Sequence, residues 1–173
     1  VDFITFLEKN NISPSSVINR SIYETNHFLL NKDKKVSLIE YSAFYGAQQI
    51  FVYLNKQNVE LKSKIWPFVI HGKNPDLIHM LEENHVQTLS NSYQYLIVEA
   101  IKCHHNEIAI YLQNNFFDNE LEYSKIVSSN CLKYYNFQFI NIQQFDNTNL
   151  YNLCRYDYGF FIQNILNEQK VNL

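Results

Sequence analysis

The stretch Ile101–Leu112, IKCHHNEIAIYL, places a thiol, two imidazoles and a carboxylate within five consecutive residues. Groups of this kind ligate metals and act as nucleophiles or bases, so the stretch is a candidate for an enzyme site. Its apolar residues follow a second pattern, because Ile108 and Leu112 are spaced to share one face of a helix. The same apolar spacing recurs along the chain, and this recurrence predicts the fold.

The recurring pattern is an apolar residue or pair, several polar or small residues, and an apolar residue followed four positions later by Leu or Ile. The copies span 43–54, 70–81, 101–112 and 154–165, with a weaker copy over 131–142. Equivalent turn positions are Gly46, Lys73, His104, Tyr134 and Asp157. Their spacings of 27, 31, 30 and 23 residues are typical of helical repeat arrays.

Each copy predicts a short helix, a tight turn and a second helix of about three turns. In the copy over 70–81, Asn74 suits the N-cap, Pro75 the first helical position and Asp76 the first turn, where the helix dipole favours an acid. Trp66 aligns with Ile39 and is predicted to be a core residue. No segment alternates apolar and polar residues convincingly, so the predicted class is all-α.

The composition limits the classes of function. The chain has 173 residues, 46% of them hydrophobic, which is enough for one domain with a real core. Its net charge of -3 predicts no general attraction to nucleic acid or to an anionic membrane, and no apolar run approaches the length of a membrane span. Three widely spaced cysteines without a CxxC pair predict a reducing, cytoplasmic location.

Several stretches resemble the ankyrin repeat, whose motif is roughly T-P-L-H-x-A-A-x-x-G-H-x-E-I-V-x-x-L. Residues 37–46, SLIEYSAFYG, match it with Ser37 in place of Thr and with Ala43 and Gly46 retained, and residues 148–157 match it at Thr148 and Leu150. Together with the segments NPDLIHMLEENHV and EAIKCHHNEIAIYL, the pattern is similar to the divergent ankyrin-type domain of unknown function in trichomonad protozoan ankyrin-repeat proteins.

The resemblance implies a solenoid of about five stacked helix-turn-helix repeats whose hairpin fingers are short or absent, since the spacings fall below the usual repeat length. Residues 1–12 are then the second helix of a truncated repeat, 13–36 an insertion or capping segment, and 37–173 the repeats, in a single ankyrin-like domain. Further ankyrin repeats of the same chain are expected after Leu173.

Neither a metal site nor a catalytic site is predicted. The adjacent His104 and His105 cannot easily converge on one metal, and a zinc site needs three or four ligands. A Cys103–His104 nucleophile would need the imidazole beside the sulfur, an orienting group and an oxyanion hole. We therefore expect no metal, no cofactor and no catalytic residue, and a Cys/His-dependent hydrolase stays as the less favoured alternative.

The predicted function is a non-catalytic protein–protein interaction module, with a protein partner and with neither nucleic acid nor membrane as a ligand. A second alternative is a structural capping segment of a longer ankyrin array. In ankyrin-like arrays the two residues before the glycine position tend to face the concave side, and aromatic and basic residues are typical of interfaces. The residues predicted to bind the partner, called the predicted ridge below, are Phe44, Tyr45, His71, Lys102, Cys103, Lys133, Arg155 and Tyr156. Alternatively, about half of them pack against the neighbouring repeat.

Overall fold

The computed structural model describes residues 2–19, 21–30, 35–89, 93–117, 120–140 and 147–168. These residues form ten α-helices, and an isolated antiparallel bridge between Val17 and Ser37 is the β-structure found among them. The helices are α1 Phe3–Lys9, α2 Leu38–Phe44, α3 Gln48–Lys56, α4 Trp66–Gly72, α5 Pro75–Glu83, α6 Gln94–Lys102, α7 Asn106–Phe116, α8 Glu120–Lys133, α9 Asn147–Arg155 and α10 Gly159–Glu168. The predicted all-α class is confirmed.

The chain divides into two compact units, Val1–Asn91 and Ser92–Leu173. In the first unit α2 packs on α3 and α4, and α4 packs on α5. In the second unit α6 packs on α7 and α8, α8 packs on α9, and α9 packs on α10. Within each unit the first helices of successive pairs therefore lie against one another, which is the packing that stacked helical repeats use. A continuous ankyrin-type solenoid stays a prediction.

The turn after each first helix contains one residue in the left-handed conformation. These residues are Gly46, Lys73, His104, Tyr135 and Asp157, with φ between 50° and 63°. The predicted equivalence is confirmed at four positions and is wrong by one residue at the fourth turn, where Tyr135 replaces Tyr134. The reason is that α8 ends at Lys133 and the Asn136 N–H donates back to the Cys131 carbonyl at 3.0 Å, a closure that places Tyr135 at the left-handed position.

The second turn forms as predicted. The Asn74 side chain accepts a hydrogen bond from the Asp76 N–H at 3.0 Å, and Pro75 is the first residue of α5. Trp66 begins α4 and is only 1% exposed, so its assignment to the core is confirmed. Its indole N–H donates to the Val86 carbonyl at 2.8 Å, which satisfies the one polar atom of this buried ring.

Two of the three glycines are required where the first two pairs meet. A Cβ on Gly46 would lie 2.6 Å from the Gly72 carbonyl oxygen, and a Cβ on Gly72 would lie 2.1 Å from the Ala43 carbonyl oxygen. Backbone thus meets backbone with no room for a side chain, and Gly46 also has positive φ. By contrast, a Cβ on Gly159 meets nothing within 4 Å.

The fourth copy departs from the predicted helix pair. Its first helix, α8, has 14 residues, and the turn is followed by a short 3-10 helix, Phe137–Phe139, in place of the second helix expected there. Residues 141 and 142, the last two of the weak copy predicted over 131–142, lie outside the described residues. The short 3-10 helix follows from a sequence with three aromatic residues among Tyr135–Phe139, which have poor helix propensity and no regular apolar stripe.

The three helices α1, α3 and α5 end in the same way. Each is followed by a left-handed residue, and the next N–H donates to the carbonyl of a leucine five positions earlier. The segments are LEKNNI (Leu7–Ile12), LNKQNV (Leu54–Val59) and LEENHV (Leu81–Val86). Because α3 and α5 are second helices of pairs, the shared ending supports the interpretation of α1 as a second helix. The shared segments are a sequence signal that the pattern of first-helix turns does not include.

The predicted insertion, 13–36, contains no α-helix within its described residues. It is held at both ends by backbone hydrogen bonds, from Ile18 N–H to the Val36 carbonyl at 2.8 Å and from Leu38 N–H to the Ser16 carbonyl at 3.0 Å. Between these ends, residues 21–30 form turns that contact α2 and α4. The segment therefore returns the chain to the start of α2 after crossing part of the first unit.

Candidate functional site

Each first helix of the second unit ends in a cation. Lys102 is the last residue of α6, Lys133 of α8 and Arg155 of α9, and each precedes its left-handed residue by two positions. With the corrected turn at Tyr135, Lys133 becomes the exact positional equivalent of Lys102 and Arg155. A cation at a helix C-terminus also stabilises that helix through its dipole, so the placement has a structural benefit of its own.

Hydrogen bonds between successive turns align these helix ends. His104 Nε2 donates to the Tyr134 carbonyl at 3.1 Å, and Asn136 Nδ2 donates to the Ile101 carbonyl at 3.0 Å. One pair further on, the Tyr158 hydroxyl donates to the Leu132 carbonyl at 2.7 Å. The C-terminal ends of α6, α8 and α9 are therefore held in register along one edge of the second unit.

The same hydrogen bonds explain the residue types of the stretch Ile101–Leu112. His104 has φ of 57° and its ring bridges to the next turn, while His105 is the N-cap residue of α7. Asn106 accepts a hydrogen bond from Asn136 Nδ2 at 2.7 Å. The prediction that this stretch is a helix end, a turn and a helix start is confirmed, and its His104 acts as a link between turns.

The three cations are exposed and make weak local contacts. Lys102 Nζ lies 3.4 Å from a Glu99 carboxylate oxygen, one turn earlier on α6. Lys133 Nζ lies 5.0 Å from the Tyr134 ring centroid, and the Arg155 guanidinium carbon lies 5.7 Å from that of Tyr156. Exposed contacts of this kind contribute about 0.5–1 kcal/mol each, so they orient the cations without burying them. We call Lys102, Lys133, Arg155 and Tyr156 the cationic edge.

The ridge residues of the first unit lie in a different environment. Phe44 is buried at 9% exposure and His71 is half-buried, and both rings pack against Phe28 of the segment between α1 and α2. Tyr45 is 56% exposed. Sequence reasoning assigned all three to a partner, but Phe28 already covers two of them because a distant segment returns over these helix ends.

Two of the three thiols, those of Cys103 and Cys131, are poor nucleophiles. Burial raises the pKa of Cys103 to about 11, with the Glu99 carboxylate adding to the effect and Lys102 opposing it. Burial also raises the pKa of Cys131 to about 12. Both sulfurs are protonated at neutral pH, and the thiolate is the reactive form. Cys103 is half-buried, so this member of the predicted ridge offers a partner only part of its surface.

A charged cluster at the start of α2 was missed at the sequence level. Glu40 is 2% exposed, and its carboxylate accepts hydrogen bonds from the Ser37 N–H and hydroxyl, each at 2.8 Å, and an ion pair from Lys64 Nζ at 2.9 Å. It borders a cleft of about 280 Å³. The spacing Ser37-x-x-Glu40 is that of a capping box, which was the available signal. These hydrogen bonds and the ion pair favour a role in capping α2.

No protein-family model, curated protein or solved structure matches this chain. Within the described residues, no helix combines the length and apolar character that crossing a membrane requires. The predictions of a cytoplasmic location, of no metal and of no cofactor stay predictions.

Proposed function

We propose that this chain is a non-catalytic protein-binding module of ankyrin-like helix pairs. The observation that carries the proposal is the cationic edge, in which three consecutive first helices end in exposed cations held in register by hydrogen bonds between their turns. Two of the cations lie over tyrosine rings, and arginine with tyrosine is the composition of interaction hot spots. The partner surface that fits such an edge is acidic.

The test is a triple charge reversal, Lys102→Glu, Lys133→Glu and Arg155→Glu, compared with wild type in a pull-down analysed by mass spectrometry. The matched control replaces Lys9, Lys56 and Lys125 by Glu, which gives the same change in net charge. All three lysines are exposed, and Lys9 and Lys56 are also the last residues of their helices. We expect the first variant to lose partners that wild type and control retain. Recovery of the same partners by a folded triple variant would reject the cationic edge as the binding site.

The alternative of a thiol hydrolase is tested by iodoacetamide labelling of the folded chain near neutral pH. The raised pKa values predict that Cys103 and Cys131 react slowly, whereas Cys154 is exposed and reacts first. Peptide mapping by mass spectrometry gives the three rates separately. A Cys103 that reacts faster than Cys154 would contradict the non-catalytic proposal and favour the hydrolase.

A further inference from the structure

Residues 21–30, called the strap, cover the C-terminal ends of α2 and α4. The ring of Phe28 packs against Phe68 with centroids 4.9 Å apart, against Phe44 at 5.7 Å and against His71 at 4.1 Å. Phe44 and His71 also stack on each other at 5.1 Å. Phe28 thus fills an aromatic site built from two adjacent helices of the first unit.

A second contact lies four residues earlier in the strap. One carboxylate oxygen of Glu24 accepts hydrogen bonds from the Tyr41 hydroxyl at 3.2 Å and the Tyr45 hydroxyl at 3.3 Å. The two phenol rings are 4.9 Å apart, so their hydroxyls form a pair of donors aimed at one anion. The two hydroxyls also hydrogen-bond with each other, so their two protons serve three contacts among Tyr41, Tyr45 and Glu24. This hydrogen bond and burial raise the pKa of Tyr41, so its hydroxyl stays protonated.

The strap's own hydrogen bonds present these two groups together. The other Glu24 oxygen accepts from the Asn26 N–H at 2.8 Å, and the Asn26 side chain accepts from the Phe28 N–H at 2.9 Å. The side chains of residues 25–27, between Glu24 and Phe28, are exposed. Ile22 and Tyr23 are also exposed, at 90% and 86%. Leu29 is buried and anchors the strap. Contact with the side chains near the ends of α2 and α4 is therefore made by the Glu24 carboxylate and by the Phe28 ring four positions later.

We propose that Tyr41, Phe44, Tyr45, Phe68 and His71 form a peptide-binding groove that the strap occupies in cis, and that its partner is a protein segment carrying a carboxylate four residues before an aromatic side chain. Two phenol donors match a carboxylate, and the aromatic site matches a planar ring. The strap is then a displaceable internal competitor. This inference deepens the proposed function, because it adds a second, self-occupied surface to a protein-binding module.

The test uses the full chain and a fluorescein-labelled peptide with the strap sequence SIYETNHFLL. The opened variant combines Glu24→Gln with Phe28→Ala, and the matched control combines Ile22→Ala with Tyr23→Ala in the same segment. A strap that occupies the groove about 90% of the time lowers the apparent affinity about tenfold. We therefore expect the opened variant to bind the peptide about tenfold more tightly than wild type or the control in an anisotropy titration.

A peptide with Gln for its glutamate and Ala for its phenylalanine is expected not to bind. Equal affinities of the opened variant and wild type, with circular dichroism and Trp66 emission unchanged, would overturn the proposal. If the double variant fails to fold, Glu24→Gln alone is measured. We then expect a smaller increase in affinity for the peptide, and an unchanged affinity would count against the groove. The triple reversal at the cationic edge should leave peptide binding unchanged. The two proposals are therefore tested independently, because the pull-down reports on the cationic edge and the peptide titration reports on the groove.

Discussion

The first turn of the first unit and the first turn of the second unit have the same backbone path but different contacts. At Gly46 and Gly72 two backbones touch, and a Cβ on either residue would lie less than 3 Å from a carbonyl oxygen. At His104 the next turn is reached through side chains, with His104 bonded to the Tyr134 carbonyl and Asn136 to the Ile101 carbonyl. An asparagine links the turns in both units, since Asn74 Nδ2 donates to the Gly46 carbonyl at 3.2 Å. The difference is that the first unit adds a backbone contact that requires glycine, whereas the second unit adds a histidine that accepts the left-handed conformation.

The largest expected effect is at the backbone contact. Gly72→Ala places a Cβ 2.1 Å from the Ala43 carbonyl oxygen, so α2 and α4 must move apart. We expect the free energy of unfolding to fall by about 2–4 kcal/mol, measured by urea denaturation followed by circular dichroism. Gly159→Ala is the control, since its Cβ meets nothing within 4 Å, and should change stability by less than about 0.5 kcal/mol. Equal stabilities for both variants would contradict the requirement for close approach.

The second prediction addresses the side-chain link. Asn136→Ala removes hydrogen bonds to the Ile101 carbonyl and to Asn106, and Asn136 is 2% exposed. We expect a loss of about 1–3 kcal/mol, because two hydrogen bonds of a buried side chain are removed, although the Ile101 carbonyl still accepts from the His104 N–H at 3.0 Å. Asn130→Ala is the control: its side chain donates to the Ile126 carbonyl within α8, so its loss leaves the link between turns intact. A variant at Asn136 as stable as this control would show that packing alone aligns the turns.

The third prediction concerns the cost of left-handed residues that are not glycine. Lys73→Gly and Asp157→Gly, both at exposed positions with positive φ, should stabilise the chain by about 0.5–1 kcal/mol each. His104→Gly relieves the same strain but loses the hydrogen bond to the Tyr134 carbonyl, so its net effect should be close to zero. Thermal unfolding of the three variants gives the comparison. A His104→Gly gain as large as that of Lys73→Gly would mean that the histidine link contributes nothing.

The smallest expected effect is a pH dependence confined to the strap. Hydrogen bonding from the Asn26 N–H, with help from Tyr41 and Tyr45, holds the pKa of Glu24 below its ordinary value of 4.5. A lowered pKa means that the contact is fully present above pH 4.5 and is lost as the pH falls through the folded-state value. The ring NMR signals of Tyr45 should shift in that acid range. Those of Tyr158, whose hydroxyl donates to a backbone carbonyl, should not, and a parallel shift of both would indicate general unfolding.

The candidate site was predictable where it depends on position within a repeat. The cations Lys102 and Arg155 were selected because they precede a turn residue by two positions, and the structure keeps that relation. Lys133 was selected from a register one residue off, which the Asn136–Cys131 closure corrects. Phe44 and His71 followed the same rule, but Phe28 covers them. No local periodicity encodes a contact between residues 16 and 43 positions apart in sequence.

The sequence by itself determined the helical class and most of the turns. Apolar spacing and capping residues are local properties, and local properties decide where a helix starts and ends. Only the tertiary structure decided which turns touch backbone to backbone and that the strap covers two residues of the predicted ridge. It also decided that the thiols of Cys103 and Cys131 have raised pKa values. These depend on distances between segments far apart in the chain, which packing sets and local patterns do not record.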